Sequence, residues 1–175
     1  LAILALPLAA ITVILDARNP GYHLMSADAG WALQIHVLSS MLAYSLLTLA
    51  SAQAILLAVQ DNHLRRHHPG GFIRALPPLQ TMESLLFEMI TVGFVLLSIA
   101  LITGFVYLED MFAQHLVHKT VLSIAAWIAF AVLLWGRYRF GWRGRKAIRW
   151  TLVGFAVLML AYFGSKAVIE LILKR

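Results

Sequence analysis

The stretch "WALQIHVLSSMLAYSLL", residues 31–47, indicates the kind of fold. It contains no Asp, Glu, Lys or Arg, and the run without these residues continues to Gln60. A helix needs roughly 20 apolar residues to cross the hydrocarbon core of a bilayer. His36 is therefore an ionisable ring inside a membrane-length helix, and Ser40 and Tyr44 follow at four-residue steps on the same helical face. An ionisable side chain exposed to lipid is costly, so the His36 ring is expected to face protein, water or a metal.

Similar runs recur along the chain. Of its 175 residues, 61% are hydrophobic and only 13% are charged, which predicts an integral membrane protein. We predict an all-α, polytopic transmembrane bundle that forms a single domain over residues 1–175. Since the chain starts abruptly at Leu1, without a basic leading region, we also expect further spans upstream. The five predicted spans are Leu1 to Leu15, Leu33 to Val59, Ser84 to Leu108, Lys119 to Gly136 and Trp150 to Leu173.

Arginine and lysine collect in alternate loops. The basic loops, residues 60–83 and 137–149, are predicted to be cytoplasmic, whereas the more acidic loops 16–30 and 109–118 are predicted to face outward. The formal net charge of +6 is explained by this topology and by contact with anionic lipid head groups. Nothing in it indicates a nucleic-acid partner. The chain has no cysteine, which excludes disulfides and thiolate metal sites.

Three imidazoles are predicted to meet at the outer surface. His36 lies about one turn inside the second span, and His115 and His118 stand at the mouth of the fourth span beside Lys119. Two neutral imidazoles at the edge of an apolar recess suit axial ligation of a haem iron, and Lys119 or Arg18 could pair with a propionate. The aromatic rings placed to contact a macrocycle are Trp31, Phe112 and Trp127.

An ordinary interfacial role is the alternative for each of these side chains. Histidine and tryptophan are common at membrane surfaces, and Trp31 alone fits an aromatic belt. This simpler interpretation is favoured for His115 and left open for His118, whereas a functional role is favoured for His36.

Four ordered segments resemble the cytochrome c assembly membrane family of CcsA, CcmC and HemX types. The first, "IHVLSSMLAYSLLTLASAQAIL", is similar to the helix in which an outward histidine precedes a tyrosine by eight residues. The second and third are "FEMITVGFVLLSIALITGFVY" and "HKTVLSIAAWIAFAVLLWGRYRFGWRGRKA". The fourth, "VGFAVLMLAYFG", resembles the closing helix. The short HemX-like or YpjD-like bacterial inner-membrane proteins are the most similar subgroup.

This resemblance implies that haem, expected as haem b, is held near the outer face of the inner membrane for cytochrome c maturation. His36 falls on the family's first outward ligand, Tyr44 joins the candidate cofactor-binding residues, and His118 with Lys119 lies where larger members have a tryptophan-rich motif. That motif is absent here, apart from the lysine and Trp127. The family's inner histidine corresponds to about Trp135, and its second outward histidine has no counterpart in "FGSKAVIELILKR".

Two functions of different class follow. In the first, the protein binds haem, His36 ligates the iron, and His118 or His115 substitutes for the missing second ligand, with His118 as the expected iron ligand. In the second, the fold is a cofactor-free regulatory or scaffolding subunit, as in HemX-like regulation of tetrapyrrole synthesis. The expected partners are haem and other membrane proteins of cytochrome maturation or tetrapyrrole metabolism, and no enzymatic constellation is present.

Two further polar features have structural interpretations. Glu88, inside the third span, is predicted to form an ion pair with Arg137 or Arg74. The triplet His63, His67 and His68 is predicted to be a solvated loop rather than a metal site, because Arg65 and Arg66 flank it.

Overall fold

A computed structural model describes residues 31–65, 77–107 and 117–172, with the side chains of the last helix described as far as Ala161. These residues form four long α-helices. We number them α1 (Trp31–Arg65), α2 (Leu79–Tyr107), α3 (Val117–Phe140) and α4 (Arg145–Ile172). The helices correspond to the last four predicted spans, and each begins before its predicted start. The first predicted span, residues 1–15, lies outside the described residues.

Three of the helices are long and apolar enough to cross a bilayer, over Leu33–Arg65, Leu79–Val106 and Lys119–Phe140. The protein is therefore a helical membrane protein. The fourth helix has 28 residues and a length of about 42 Å, but its first turns carry Arg145, Lys146 and Arg149. Three candidate spans among the described residues is a smaller number than the five predicted from the sequence.

The helices form a closed ring of neighbours. Helix α1 packs most extensively on α2, α3 packs on α4, and contacts of α1 with α4 and of α2 with α3 complete the ring. Small residues allow the closest approach: a Cβ atom on Gly93 would lie 2.9 Å from Leu47 on α1, and one on Gly154 would lie 3.0 Å from Phe130 on α3. Phe130, Leu47 and Leu86 are among the fully buried side chains of the core.

Hydroxyl groups in the helices are satisfied locally. Ser40 donates to the Val37 carbonyl at 2.9 Å, Thr91 to Phe87 at 2.7 Å, and Thr151 to Ala147 at 2.8 Å. Such bonds to the preceding turn let hydroxyl side chains lie in lipid or in an apolar core without an unpaired polar atom. Ser40 therefore needs no ligand to account for its position one turn after His36.

One end of the bundle carries the described ion pairs and is called the basic end below. Arg137 donates to Glu83 at 2.9 Å and to the Trp142 carbonyl at 3.2 Å, and its guanidinium lies 4.5 Å from the Phe87 ring centre. The predicted pair of Arg137 with Glu88 is therefore wrong. Glu88 is exposed and lies five residues further along α2 than Glu83, about 140° around the helix from the carboxylate that Arg137 contacts. Arg74, the other predicted partner, lies outside the described residues.

The turn from α3 to α4 is tightly built at this end. Gly141 has a φ of +61°, a conformation that favours glycine, and its N–H donates to the Arg137 carbonyl at 3.1 Å to cap α3. Trp142 then folds back so that its ring covers Gly136 and stacks on Trp150, with ring centres 6.0 Å apart. The predicted basic loop 137–149 is therefore mostly helical, with a connection of only residues 141–144, and the turn brings its arginines against α2 and α1.

Candidate functional site

His36 bridges two helices at the end of the bundle opposite the basic end. The Nδ1 atom of its ring lies 2.8 Å from the Ala100 carbonyl oxygen on α2. A carbonyl oxygen can only accept, so Nδ1 carries the hydrogen. In the neutral ring this leaves Nε2 with a free lone pair. No hydrogen-bond partner of Nε2 is found among the residues that the structure describes.

A glycine on α2 makes room for the ring. A Cβ atom on Gly104 would lie 3.1 Å from Cε1 and 3.3 Å from Nδ1 of His36, which is close contact. Thr103 stands beside the same nitrogen, with its Oγ1 at 3.4 Å, while its hydroxyl donates to the Ile99 carbonyl at 2.8 Å. Sequence reasoning missed the role of Gly104 and Thr103 in this site, because nothing in one sequence pairs a glycine on α2 with a ring on α1.

This geometry suits metal ligation. Metal-binding histidines usually donate their second ring N–H to a carbonyl or carboxylate, which fixes the ring and the tautomer. His36 already has that arrangement without a metal, so Nε2 is set up as a nitrogen ligand. No group of three or more histidine, aspartate or glutamate side chains that could hold a bare metal ion occurs within the described ranges. An iron porphyrin fits His36 better, since it needs only one or two axial ligands from protein.

The direction of α3 places one of the other predicted histidines, His118, at the same end. Helix α3 starts at Val117 and runs to the basic end at Phe140, so His118 lies in the first turn of α3, at the end where His36 is found. The side chain of His118 and all of His115 lie outside the described residues. Lys119 is exposed and takes part in an interaction, so it is not a free cation.

Trp127 has a packing role between α2 and α3. Its indole N–H donates to Ser98 Oγ at 2.8 Å, and its ring stacks on Phe94 with ring centres 5.3 Å apart. Ser98 and Ala100 are two residues apart on α2, so Trp127 and His36 lie at a similar depth. Ser98, which contacts Trp127, and Ala100, which contacts His36, lie on different sides of α2. Residues two positions apart in a helix are separated by about 200° around its axis.

Two other predicted residues lie along the same part of the bundle. Tyr44 is partly buried and packs against the core cluster two helical turns deeper than His36. Trp31, at the start of α1, is 76% exposed, as expected for an aromatic ring at a membrane surface. Phe112 and Arg18 lie outside the described residues.

His63 provides an internal comparison at the basic end. Its Nδ1 lies 3.0 Å from the Val59 carbonyl of its own helix, and the side chain is exposed. This bond joins neighbouring turns rather than two helices. His67 and His68 lie outside the described residues, so the predicted solvated triplet remains a prediction.

Comparison with known proteins defines the class. Residues 1–173 match the family described as "Cytochrome C assembly protein", and the chain belongs to that family. The family resemblance drawn from the four segments is thereby confirmed.

Three relatives show which members of this family the chain is similar to in sequence. It is 36% identical to the "Inner membrane protein YpjD" of Escherichia coli K12, over 94% of this chain and 62% of that protein. It is 32% identical to an "Uncharacterized 28.8 kDa protein" of Azospirillum brasilense, over 81% of this chain and 53% of that protein. It is 28% identical to the "Cytochrome c biogenesis protein CcsA" of Synechococcus sp. CC9902, over 75% of this chain and 51% of that protein.

The chain thus spans between about half and two thirds of the length of these relatives. No solved structure matches the chain significantly.

Proposed function

We propose that this protein holds haem, in the form of haem b, near the outer face of a bacterial inner membrane for cytochrome c assembly. The observation that carries the proposal is the His36 ring, whose Nδ1 is anchored 2.8 Å from the Ala100 carbonyl. That anchor leaves Nε2 as the axial ligand. Membership of the cytochrome c assembly family supports the choice of haem over another metal group.

The second ligand is proposed to come from the start of α3. His118 is the first choice, because it lies in the first turn of α3 at the His36 end of the bundle, and His115 is the substitute. In this arrangement Lys119 exchanges its present interaction for a propionate, Tyr44 belongs to the wall below His36, and Trp127 belongs to the wall at the depth of His36. Bound iron porphyrin would supply a redox-active group for delivery, whereas the protein itself binds and orients it without enzymatic chemistry.

The proposed orientation has five spans in this chain, with the loops 60–83 and 137–149 in the cytoplasm. The concentration of arginine in these loops supports it. The printed name of the Escherichia coli relative supports an inner-membrane location. Other membrane proteins of cytochrome maturation or tetrapyrrole metabolism are the proposed partners.

Purification after expression with a haem supply tests the proposal. The protein should carry a Soret band, and the His36→Ala variant should lose most of it at equal protein recovery. His63→Ala is the matched control, since His63 also sits on α1 with Nδ1 on a carbonyl, but at the basic end. A Soret band that survives His36→Ala, or that is lost equally in both variants, would contradict the assignment of the ligand.

A cofactor-free regulatory or scaffolding subunit is the second candidate. One observation favours it: the His36 bond already has a structural use, because it ties α1 to α2 through a carbonyl. A colourless protein that binds no added hemin, yet has a lower melting temperature after His36→Ala, would support this function. Retained colour in the wild type would exclude it.

A further inference from the structure

An open groove runs between α1 and α4 at the basic end, away from His36. Its volume is about 530 Å³, within the range of small-molecule pockets. We call it the α1–α4 groove. Its lining includes Ile55, Val59, Asp61, Arg145, Arg149 and Leu152.

The lining changes from apolar to charged along the groove. Helix α1 runs toward the basic end and α4 runs away from it, so Ile55 and Leu152 are the deepest lining residues in the bilayer. Asp61, Arg145 and Arg149 form the rim at the membrane surface. A ligand with an apolar chain and a polar head matches this order, with the chain toward the membrane interior.

The charge at the rim selects an anion. Asp61 accepts from Arg65 at 3.1 Å and from Arg145 at 3.3 Å, so one carboxylate is shared by two guanidinium groups. Arg149 lines the groove and makes no ion pair with any residue in the described part of the chain. Asp61, Arg145 and Arg149 leave a net charge of +1 at the rim. Arg65, which contacts Asp61 but does not line the groove, raises the local net charge to +2.

The start of α4 adds to this field. Gly144 has a φ of +56° and its carbonyl accepts the first helical bond, from the Ile148 N–H at 3.0 Å. The free N–H groups of the first turn give this end of the helix a partial positive charge. Arg145, in that turn, also lines the groove.

We propose that the α1–α4 groove is a binding site for an anionic phospholipid. The phosphate is held by Arg145 and Arg149, and the first part of an acyl chain lies along Ile55, Val59 and Leu152. Basic pockets between helices at a membrane surface are suited to such head groups. The site is separate from His36 and holds whether or not the protein binds haem.

The charge requirement is tested by native mass spectrometry of the purified chain titrated with phosphatidylglycerol or with phosphatidylcholine of the same acyl chains. Phosphatidylglycerol should bind more tightly, and Arg149→Gln should weaken it about fivefold, the equivalent of about 1 kcal/mol per arginine near the surface. Arg139→Gln is the matched control, because Arg139 is exposed at the same end but does not line the groove. Equal losses in the two variants, or no preference for phosphatidylglycerol, would overturn the proposal.

The acyl-chain part of the site is tested by a bulky substitution. Val59→Trp, at a 44% exposed residue in the groove, should reduce phosphatidylglycerol binding, whereas Val153→Trp, at a 53% exposed residue outside it, should not. A competition experiment with inorganic phosphate tests whether the lipid chain contributes to binding. If millimolar phosphate displaces the lipid completely, the groove binds the anion alone and the lipid proposal fails.

Discussion

The two ends of the bundle are built in different ways. The basic end is held by a partly buried arginine with several partners, a glycine-capped turn and stacked tryptophan rings. At the opposite end, the part of the chain that the structure describes joins α1 to α2 through the His36 ring, which rests on a carbonyl and lies beside a glycine. The many mutual contacts of the basic end are suited to fixing topology, whereas a ring anchored through one nitrogen keeps its other nitrogen for a ligand. The predictions below test this difference by stability measurements in detergent.

Arg137→Ala should have the largest effect, a loss of about 2 kcal/mol in the free energy of unfolding. Arg137 is only 27% exposed, and its removal leaves the 14% exposed carboxylate of Glu83 without its shortest contact. Thermal unfolding followed by circular dichroism measures the change. Arg139→Ala, an exposed neighbour, should change stability by no more than about 0.5 kcal/mol. Similar losses of unfolding free energy in both variants would show that the partners of Arg137 do not stabilise the basic end specifically.

Gly136→Ala and Gly104→Ala form a matched pair, one at each end. The new Cβ would lie within 3 Å of three atoms of the Trp142 ring in the first variant, but 3.1 Å from a single edge of His36 in the second. Overpacking costs typically about 1–3 kcal/mol, partly offset by the helix propensity of alanine. Gly136→Ala should therefore lower the melting temperature clearly. Gly104→Ala should lower it little and should alter haem binding instead. A larger loss of stability in Gly104→Ala than in Gly136→Ala would contradict the proposed difference between the two ends of the bundle.

His36→Ala should cost about 0.6 kcal/mol in stability, a typical value for an interhelical hydrogen bond in a membrane protein. Its effect on stability is thus small compared with its expected effect on the Soret band. Equilibrium unfolding of the haem-free protein isolates the structural part. A loss above about 2 kcal/mol would show that His36 is chiefly a structural residue.

Asp61→Asn should have the smallest effect, below about 0.5 kcal/mol, because its two partners are both 61% exposed. Any difference from wild type should shrink as salt is raised, since exposed pairs are screened. Melting temperatures at low and high salt measure this. A large, salt-independent loss would mean that the rim of the groove is a rigid structural element.

Hydropathy was sufficient to predict the helices, because a membrane span must satisfy its backbone internally and needs a long apolar run. The approximate positions of α1, α2, α3 and α4 follow from this requirement. The first and last residues of each helix were less predictable. Helix α2 begins at Leu79, where the Pro78 carbonyl accepts hydrogen bonds from the Thr81 and Met82 N–H groups, and such bonds do not affect hydropathy.

The site was predictable only in part. His36 stands out because its ring is isolated in an apolar helix, whereas its anchor is a backbone carbonyl, which every residue possesses. The choice of Glu83 over Glu88 by Arg137 depends on how α2 and α3 are rotated against each other. A pattern within one helix cannot define that rotation, so the partner was predicted wrongly.

Two glutamines of α1 have a consequence for how the protein is made. Gln53 donates to the Met82 carbonyl at 3.3 Å, and Gln60 donates to the Pro77 carbonyl at 3.1 Å, where α2 begins. Both bonds join the arms of one hairpin, so they need nothing from α3 or α4. The hairpin can therefore close while the ribosome is still translating the second half, and it can leave the insertion machinery as a finished pair.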